Sequence, residues 1–252
     1  MEDKRAERRA GGYPLAPARA APGVLRVGGF VGLSVSDFPG ELAAVVFCQG
    51  CPWRCRYCHN PHLQPRRGEG ELSWDGLREK MAGRRGLLDA VVFSGGEPTA
   101  QLTLEDAVRE MRALGLKIGL HTAGPYPSRL ERLLPHLDWV GLDVKAPFDR
   151  YDSLTGARKS SLRALDSLCA VIDSGVACEV RTTVHPDLMA PEELLRLARS
   201  LARLGVRRYV IQEFRAQGCA DRHLLQPRRS PWLASVQARI AALFDTLELR
   251  PA

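Results

Sequence analysis

Six short apolar, β-branched runs, each followed by a loop and then by a segment of helical period, constrain this chain more than any other feature. The runs are Ala43–Phe47, Ala90–Phe93, Lys117–His121, Trp139–Val144, Cys178–Val184 and Arg208–Phe214. Helices are predicted between them near 73–85, 103–114, 127–136, 160–174, 190–204 and 231–247. The segment PEELLRLARSLARLG is the clearest: Pro191 suits a first turn, the glutamates favour a helix N-terminus, and Gly205 suits its end. Repeated strand–helix units need crossover connections and therefore predict a parallel sheet covered by helices. Periodicity alone leaves two closures open, a doubly wound open sheet and a curled partial (β/α) barrel. In both, chemistry belongs at the carboxyl ends of the strands. No repeat at fixed period and no internal linker stands out. The expected division is a flexible basic tail over 1–22, rich in Arg, Ala, Gly and Pro, and a single domain over 23–252.

The first predicted strand runs straight into CQGCPWRCRYCHNP, so Cys51, Cys55 and Cys58, spaced C-x3-C-x2-C, sit at a strand end. Seven cysteines, four of them within 48–58, form an odd and clustered set that argues for metal rather than a disulfide framework. Thiolates are soft ligands suited to zinc and to iron–sulfur clusters. Structural zinc normally takes four closed ligands, often as two C-x2-C pairs, and no second pair follows here. A cubane cluster usually takes four cysteines. Three on one loop would leave one iron open to a substrate or cofactor. A zinc site completed by His59 or Cys48 remains the alternative at this point. Cys48 otherwise reads as a small apolar residue ending a buried strand. Cys169, Cys178 and Cys219, isolated from one another, read the same way, and His185–Pro186 reads as a turn.

Composition narrows the partners. The net charge is +7, but the basic residues fall in short pairs such as Arg66–Arg67, Arg84–Arg85, Arg207–Arg208 and Arg228–Arg229. No long basic run or interleaved aromatic stripe appears, so solvated surface rather than nucleic-acid binding is expected. No apolar run approaches the roughly 18 residues of a membrane span, and the start of the chain lacks the apolar stretch of a secretion signal. A cytoplasmic protein is expected. No Ser-His-Asp set or pair of carboxylates announces acid–base chemistry.

The triplet Cys51-Pro-Trp-Arg-Cys55-Arg-Tyr-Cys58, with aromatic Tyr57 before its last cysteine, resembles the defining motif of the radical S-adenosylmethionine (SAM) superfamily. The next strand ends in Ser94-Gly-Gly-Glu-Pro98, similar to that superfamily's second signature, which receives the SAM amino group. The physical sense holds independently: Gly95 and Gly96 allow close backbone approach, and Glu97 offers an acceptor for an ammonium group. Further stretches resemble one subfamily, the longer branch of the anaerobic ribonucleoside-triphosphate reductase activating proteins. They are Gly28-Gly-Phe-Val-Gly-Leu-Ser34, Asp37-Phe-Pro-Gly40, Phe47-Cys-Gln-Gly-Cys51, Cys58-His-Asn-Pro61 and Asp143-Val-Lys145. The similarity runs from about Gly28 to Phe214.

The resemblance implies a partial (β/α)6 barrel with parallel strands. It implies one [4Fe–4S] cluster held by Cys51, Cys55 and Cys58, with SAM on the open iron. Reductive cleavage of SAM would give a 5′-deoxyadenosyl radical that installs a glycyl radical on a partner enzyme. The implied partners are a glycyl-radical enzyme, foremost the anaerobic ribonucleotide reductase, and reduced flavodoxin or a similar electron donor. Asp143 and Lys145 would face SAM, Arg181 would lie near its carboxylate, and Gln212 near its adenosine end. Tyr57, Gly95, Gly96 and Glu97 complete the implied cofactor-binding set. Related activases often carry Asp-Thr-Asn-Gly where this chain has His121-Thr-Ala-Gly124, which puts a ribose-binding role at His121 in doubt. Activation of pyruvate formate-lyase or deazapurine synthesis by the same chemistry is the nearest alternative, and a non-catalytic metal-binding module a remote one.

Overall fold

The computed structural model describes residues 23–225 and 232–251. The predicted tail over 1–22 and the Arg228–Arg229 pair lie outside the described residues. The elements run β1 (Val27–Ser34), β2 (Ala43–Cys48), α1 (Trp74–Ala82), β3 (Ala90–Gly95), α2 (Leu104–Ala113), β4 (Lys117–Thr122), α3 (Pro127–Leu133) and β5 (Trp139–Asp143). They continue with α4 (Tyr151–Thr155), α5 (Ser160–Ser174), β6 (Ala177–Val184), α6 (Pro191–Arg203), β7 (Arg208–Glu213), α7 (Leu233–Ala241) and β8 (Thr246–Arg250). One sheet contains all eight strands in sequence order. β1 pairs antiparallel with β2, and every pairing from β2 through β8 is parallel.

The period of two along each strand sorts side chains between two layers. Ala44, Val46, Val91, Phe93, Ile118, Leu120, Val140 and Leu142 join the large core under the helices. Their neighbours Ala43, Val45, Ala90, Val92 and Trp139 turn to the other face, where Phe38 from the β1–β2 connection packs with them as a small second core. Phe38 meets Trp139 at 5.5 Å between ring centroids. The sheet is thus a curled partial barrel with an apolar plug toward the strand starts and a polar interior toward the strand ends. α6 shows how the outer layer holds: Leu194, Leu195, Leu197, Ala198 and Leu201 form one buried stripe. Each leucine there contributes roughly 1.5–3 kcal/mol of apolar burial. Pro191 opens the helix, and Glu193 accepts the Ala190 N–H at 2.8 Å.

Two strands depart from the sequence reading. β1 was not among the predicted runs. The predicted helix over 231–247 is in fact two elements, because α7 ends at Ala241 and β8 occupies Thr246–Arg250. In β8, Leu247 and Leu249 pack on the helical core, while Glu248 and Arg250 join a charge network. Buried Glu179 of β6 accepts from both Nη atoms of Arg250 (2.9 and 3.1 Å) and from Arg208 Nε (3.2 Å). Charged side chains across three adjacent strands satisfy one another, so an alternating polar strand can finish the sheet.

Candidate active site

The cysteine loop leaves β2 at Cys48 and is fastened from several sides. Gln49, 1% exposed, donates its amide to the carbonyls of His62 (3.2 Å) and Pro65 (2.7 Å). Gln101 donates to the carbonyls of Arg26 and Gln49. Within the loop, the Gly50 N–H reaches the Leu63 carbonyl at 2.7 Å and the Cys51 N–H the Gln64 carbonyl at 3.0 Å. The Arg54 N–H donates to the Thr155 carbonyl at 2.8 Å, and the Arg56 N–H to Leu154. Buried backbone groups need partners, and here those partners come from distant parts of the chain. Neither glutamine was singled out from sequence. Gln49 lies inside the C-x2-C spacing of Cys48 and Cys51, and Gln101 carries no local signal.

The loop ending β3 packs against this one. The Gly96 N–H donates to the Cys48 carbonyl and the Glu97 N–H to the Gly50 carbonyl, both at 2.9 Å. A Cβ on Gly95, whose φ is +107°, would lie 2.6 Å from the Cys48 nitrogen. A Cβ on Gly96 would lie 2.6 Å from the Gly50 oxygen and 2.7 Å from the Leu63 oxygen. Both glycines are therefore required by the cysteine loop itself, a reason for them that the sequence reading did not contain. Glu97, 1% exposed, accepts from the Thr99 N–H and hydroxyl, the Thr122 hydroxyl (2.7 Å) and the Ala123 N–H (3.0 Å). Burial pushes its carboxyl up from the usual range, against the pull of these hydrogen bonds. A cation beside it would restore the charged form.

Three charged groups gather at the end of β5, just beyond it and on β6. Asp143 Oδ1 accepts from Arg181 Nε at 2.8 Å, and Oδ2 from Lys145 Nζ at 3.3 Å. Burial alone would raise the Asp143 carboxyl, but Arg181 and Lys145 hold it down at about 2. Burial would lower the Lys145 ammonium, yet Tyr57, Asp143 and Cys55 together keep it raised. Its Nζ stands 5.6 Å over the Tyr57 ring. Arg181 also donates to the Gly141 carbonyl at 3.2 Å. Opposite them, His121 Nε2 donates to the Asp37 carbonyl at 2.9 Å, so Nδ1 is the acceptor for the Ser94 hydroxyl at 3.2 Å. Burial, reinforced by Arg181, pushes this imidazole down to about 3. His121 is neutral and holds the Asp37 segment against the strand ends.

These groups surround one cavity of about 420 Å³, a size suited to a small-molecule site. All the residues singled out from sequence line it: Cys51, Cys55, Cys58, Tyr57, Gly95, Gly96, Glu97, Asp143, Lys145, Arg181 and Gln212. Ser36, Asp37 and His121 line it too, and Arg250 of β8 reaches it from the unpredicted last strand. Cys48, Cys169, Cys178 and Cys219 stand outside it. Cys48 is fully buried in the main core. Burial raises the Cys51 thiol to about 12, helped by the charge of Glu97, and raises Cys55 as well. Thiols of this kind lose their protons on binding metal, so uptake is coupled to proton release. Among the described residues no three His, Cys, Asp or Glu groups converge closely enough to hold a single metal ion. The three thiols all line this one cavity.

Comparison with known proteins fits this arrangement. A family model described as the radical SAM superfamily matches residues 45–188. The chain is 32% identical over 208 residues to a putative glycyl-radical enzyme activating enzyme of Methanocaldococcus jannaschii, covering 77% of this chain and 82% of that protein. It is 34% identical over 177 residues to a pyruvate formate-lyase-activating enzyme of Clostridium pasteurianum, covering 68% and 73%. Among solved structures, SuiB of Streptococcus suis bound to its precursor peptide SuiA aligns with a TM-score of 0.64 at 14% identity. That alignment covers 86% of this chain and 49% of SuiB, and it speaks to the fold alone.

Proposed function

The chain belongs to the radical SAM superfamily, which works with a [4Fe–4S] cluster and SAM, and it is related to the glycyl-radical enzyme activases; from this premise we propose that its target is an anaerobic ribonucleoside-triphosphate reductase. The observation that carries the chemistry is that three thiols of one short loop open on the same cavity as Glu97, Asp143, Lys145 and Arg181. These residues fit the two cofactors. The thiols are free of disulfides, they come as three rather than four, and the cavity beside them is polar and charged. The subfamily resemblance at Gly28–Ser34 and Asp37–Gly40 supports the choice of target. Asp37 lies on the cavity wall, fastened by His121.

In this reading Cys51, Cys55 and Cys58 would hold the cluster. When bound, cluster and SAM supply one-electron cleavage of a carbon–sulfur bond and a radical able to take hydrogen from a glycine. Glu97, oriented by Thr99, Thr122 and Ala123, would accept the SAM ammonium group. Arg181 and Lys145, fixed by Asp143, would offer positive charge to the SAM carboxylate. Gln212, on β7 and lining the same cavity, would serve the adenosine end. Trp53, Tyr57 and Tyr151 form an apolar backing, with Trp53 and Tyr151 edge to face at 5.7 Å, and keep water from the reacting groups. Arg54, exposed within the cysteine loop, suits an acidic electron donor such as reduced flavodoxin.

The test is anaerobic reconstitution with iron and sulfide, reduction, and assay of SAM for 5′-deoxyadenosine. Product is expected from the parent chain and none from Cys55→Ala; full activity in that variant would refute the ligand assignment. Addition of the reductase should then give a glycyl-radical signal in electron paramagnetic resonance (EPR). The relatives that activate pyruvate formate-lyase favour a second reading, and a signal on that enzyme but not on the reductase would select it.

A further inference from the structure

After β7 the chain turns back onto the last part of the cysteine loop. Phe214 stacks on His59 with centroids 5.4 Å apart, and His185 meets Phe214 edge-on at 5.1 Å. Gly218, at φ +83°, lies so close to the His59 carbonyl that a Cβ would come within 2.2 Å of it. The Cys219 thiol, buried, donates to the Arg56 carbonyl at 3.5 Å. Asp221 accepts from Arg56 Nε and Nη2, each at 3.0 Å. The segment is braced internally by the Cys219 N–H on the Ala216 carbonyl and the His223 N–H on Asp221 Oδ1.

Every grip falls on Arg56 or His59, the residues that bracket Tyr57 and Cys58. Cys58 and His59 line the cavity, whereas Gly218, Cys219 and Asp221 do not. Contact with a substrate in the cavity therefore does not account for these three. In addition, His59 Nε2 is buried and has no hydrogen-bond partner among the described residues. A buried polar atom left open beside Cys58 points to a group that completes it.

We infer that residues 214–221 form a clasp that positions Cys58, the last of the three thiols, and thereby controls how firmly and in what electronic state the cluster is held. The inference rests on the reading that Cys51, Cys55 and Cys58 bind that cluster. Gly218, Cys219 and Asp221 are positioning residues. They act through the backbone of residues 56–59, as outer-shell groups do around metal ligands.

The test compares Gly218→Ala, Cys219→Ala and Asp221→Ala with the parent chain, each full-length and reconstituted anaerobically. The readouts are the rate of iron loss to a chelator, the EPR spectrum of the reduced cluster and its midpoint potential. Iron loss about tenfold faster is expected for Gly218→Ala and Asp221→Ala, in line with outer-shell changes elsewhere, with altered EPR g values and a shifted potential. Cys219→Ala should move the spectrum in the same direction, and Asp221→Glu should restore part of the parent behaviour. Should Gly218→Ala fail to fold by circular dichroism, the other two variants decide. Parent-like iron retention, spectrum and potential in the folded variants would overturn the clasp. A parent chain that takes up no cluster would overturn the reading beneath it, and that result appears before any variant is compared.

Discussion

Replacing Gly96 by alanine probes how tightly the two signature loops are pressed together. The new methyl carbon would sit 2.6 Å from the Gly50 oxygen and 2.7 Å from the Leu63 oxygen, where ordinary contact begins at 3.4 Å. Both obstacles are backbone, and Gly50 is tied to Leu63 and Glu97 by hydrogen bonds, so no side chain can swing aside. The cysteine loop must retreat by about 0.8 Å. Overpacking of this kind costs about 1–3 kcal/mol, and rigid neighbours place it in the upper half. For a chain of this size that is a fall in Tm of about 5–10 °C. Gly115→Ala supplies the control. Its φ is +84°, nothing lies within 4 Å of the added Cβ, and it stands at the opposite ends of the strands. It should cost only about 1 kcal/mol of backbone strain. Both variants are to be melted anaerobically and assayed for iron and sulfide after reconstitution. Gly115→Ala should melt lower yet load normally, and Gly96→Ala should lose both stability and iron. Equal iron content in the two variants, or parent-like melting of Gly96→Ala, would refute the packing argument.

Two further outcomes are expected. Asp143 is held at about 2 by Arg181 and Lys145, below its unfolded value of about 3.9, so its contribution to stability is present above about pH 4 and lost as pH falls toward 2. In Arg181→Met that loss should begin at higher pH, as measured by denaturant midpoints from pH 6 to pH 3; an unchanged acid limb would show that the pair carries no such coupling. Glu179→Ala leaves Arg208 and Arg250 without their buried carboxylate; both keep Glu248 and part of their solvent, so the loss is set by the hydrogen bonds to a charged group, roughly 1.5–3 kcal/mol. Amide exchange over 246–250 should then speed up far more than over β3 or β4, and uniform protection would contradict the role given to Glu179 in pinning β8.

What could be read from the sequence follows from how local each signal is. The six predicted strands are apolar because parallel strands are covered on both faces, and five of the six predicted helices keep their places. β8 escaped because Thr-Leu-Glu-Leu-Arg reads as part of the amphipathic run before it, until Glu179, 71 positions before Arg250, is known to receive it. β1 escaped because glycines interrupt its pattern. The cavity residues were legible because the cysteines and Gly95–Glu97 are contiguous motifs at strand ends. How the charged groups pair was not. Arg181 meets Asp143 only through the register of β5 on β6, and His121 reaches Asp37 only because the sheet curls.

The fastenings of the cysteine loop also set a schedule. Its thiols leave the ribosome early, yet the groups that hold the loop arrive in instalments, at Gln101, then Leu154 and Thr155, and finally Cys219 and Asp221, more than 160 residues after Arg56. A nascent chain therefore presents its most oxidisable side chains long before their pocket exists. If these thiols hold the cluster as proposed, anaerobic synthesis would protect them through that interval, and loading would follow the arrival of Cys219 and Asp221.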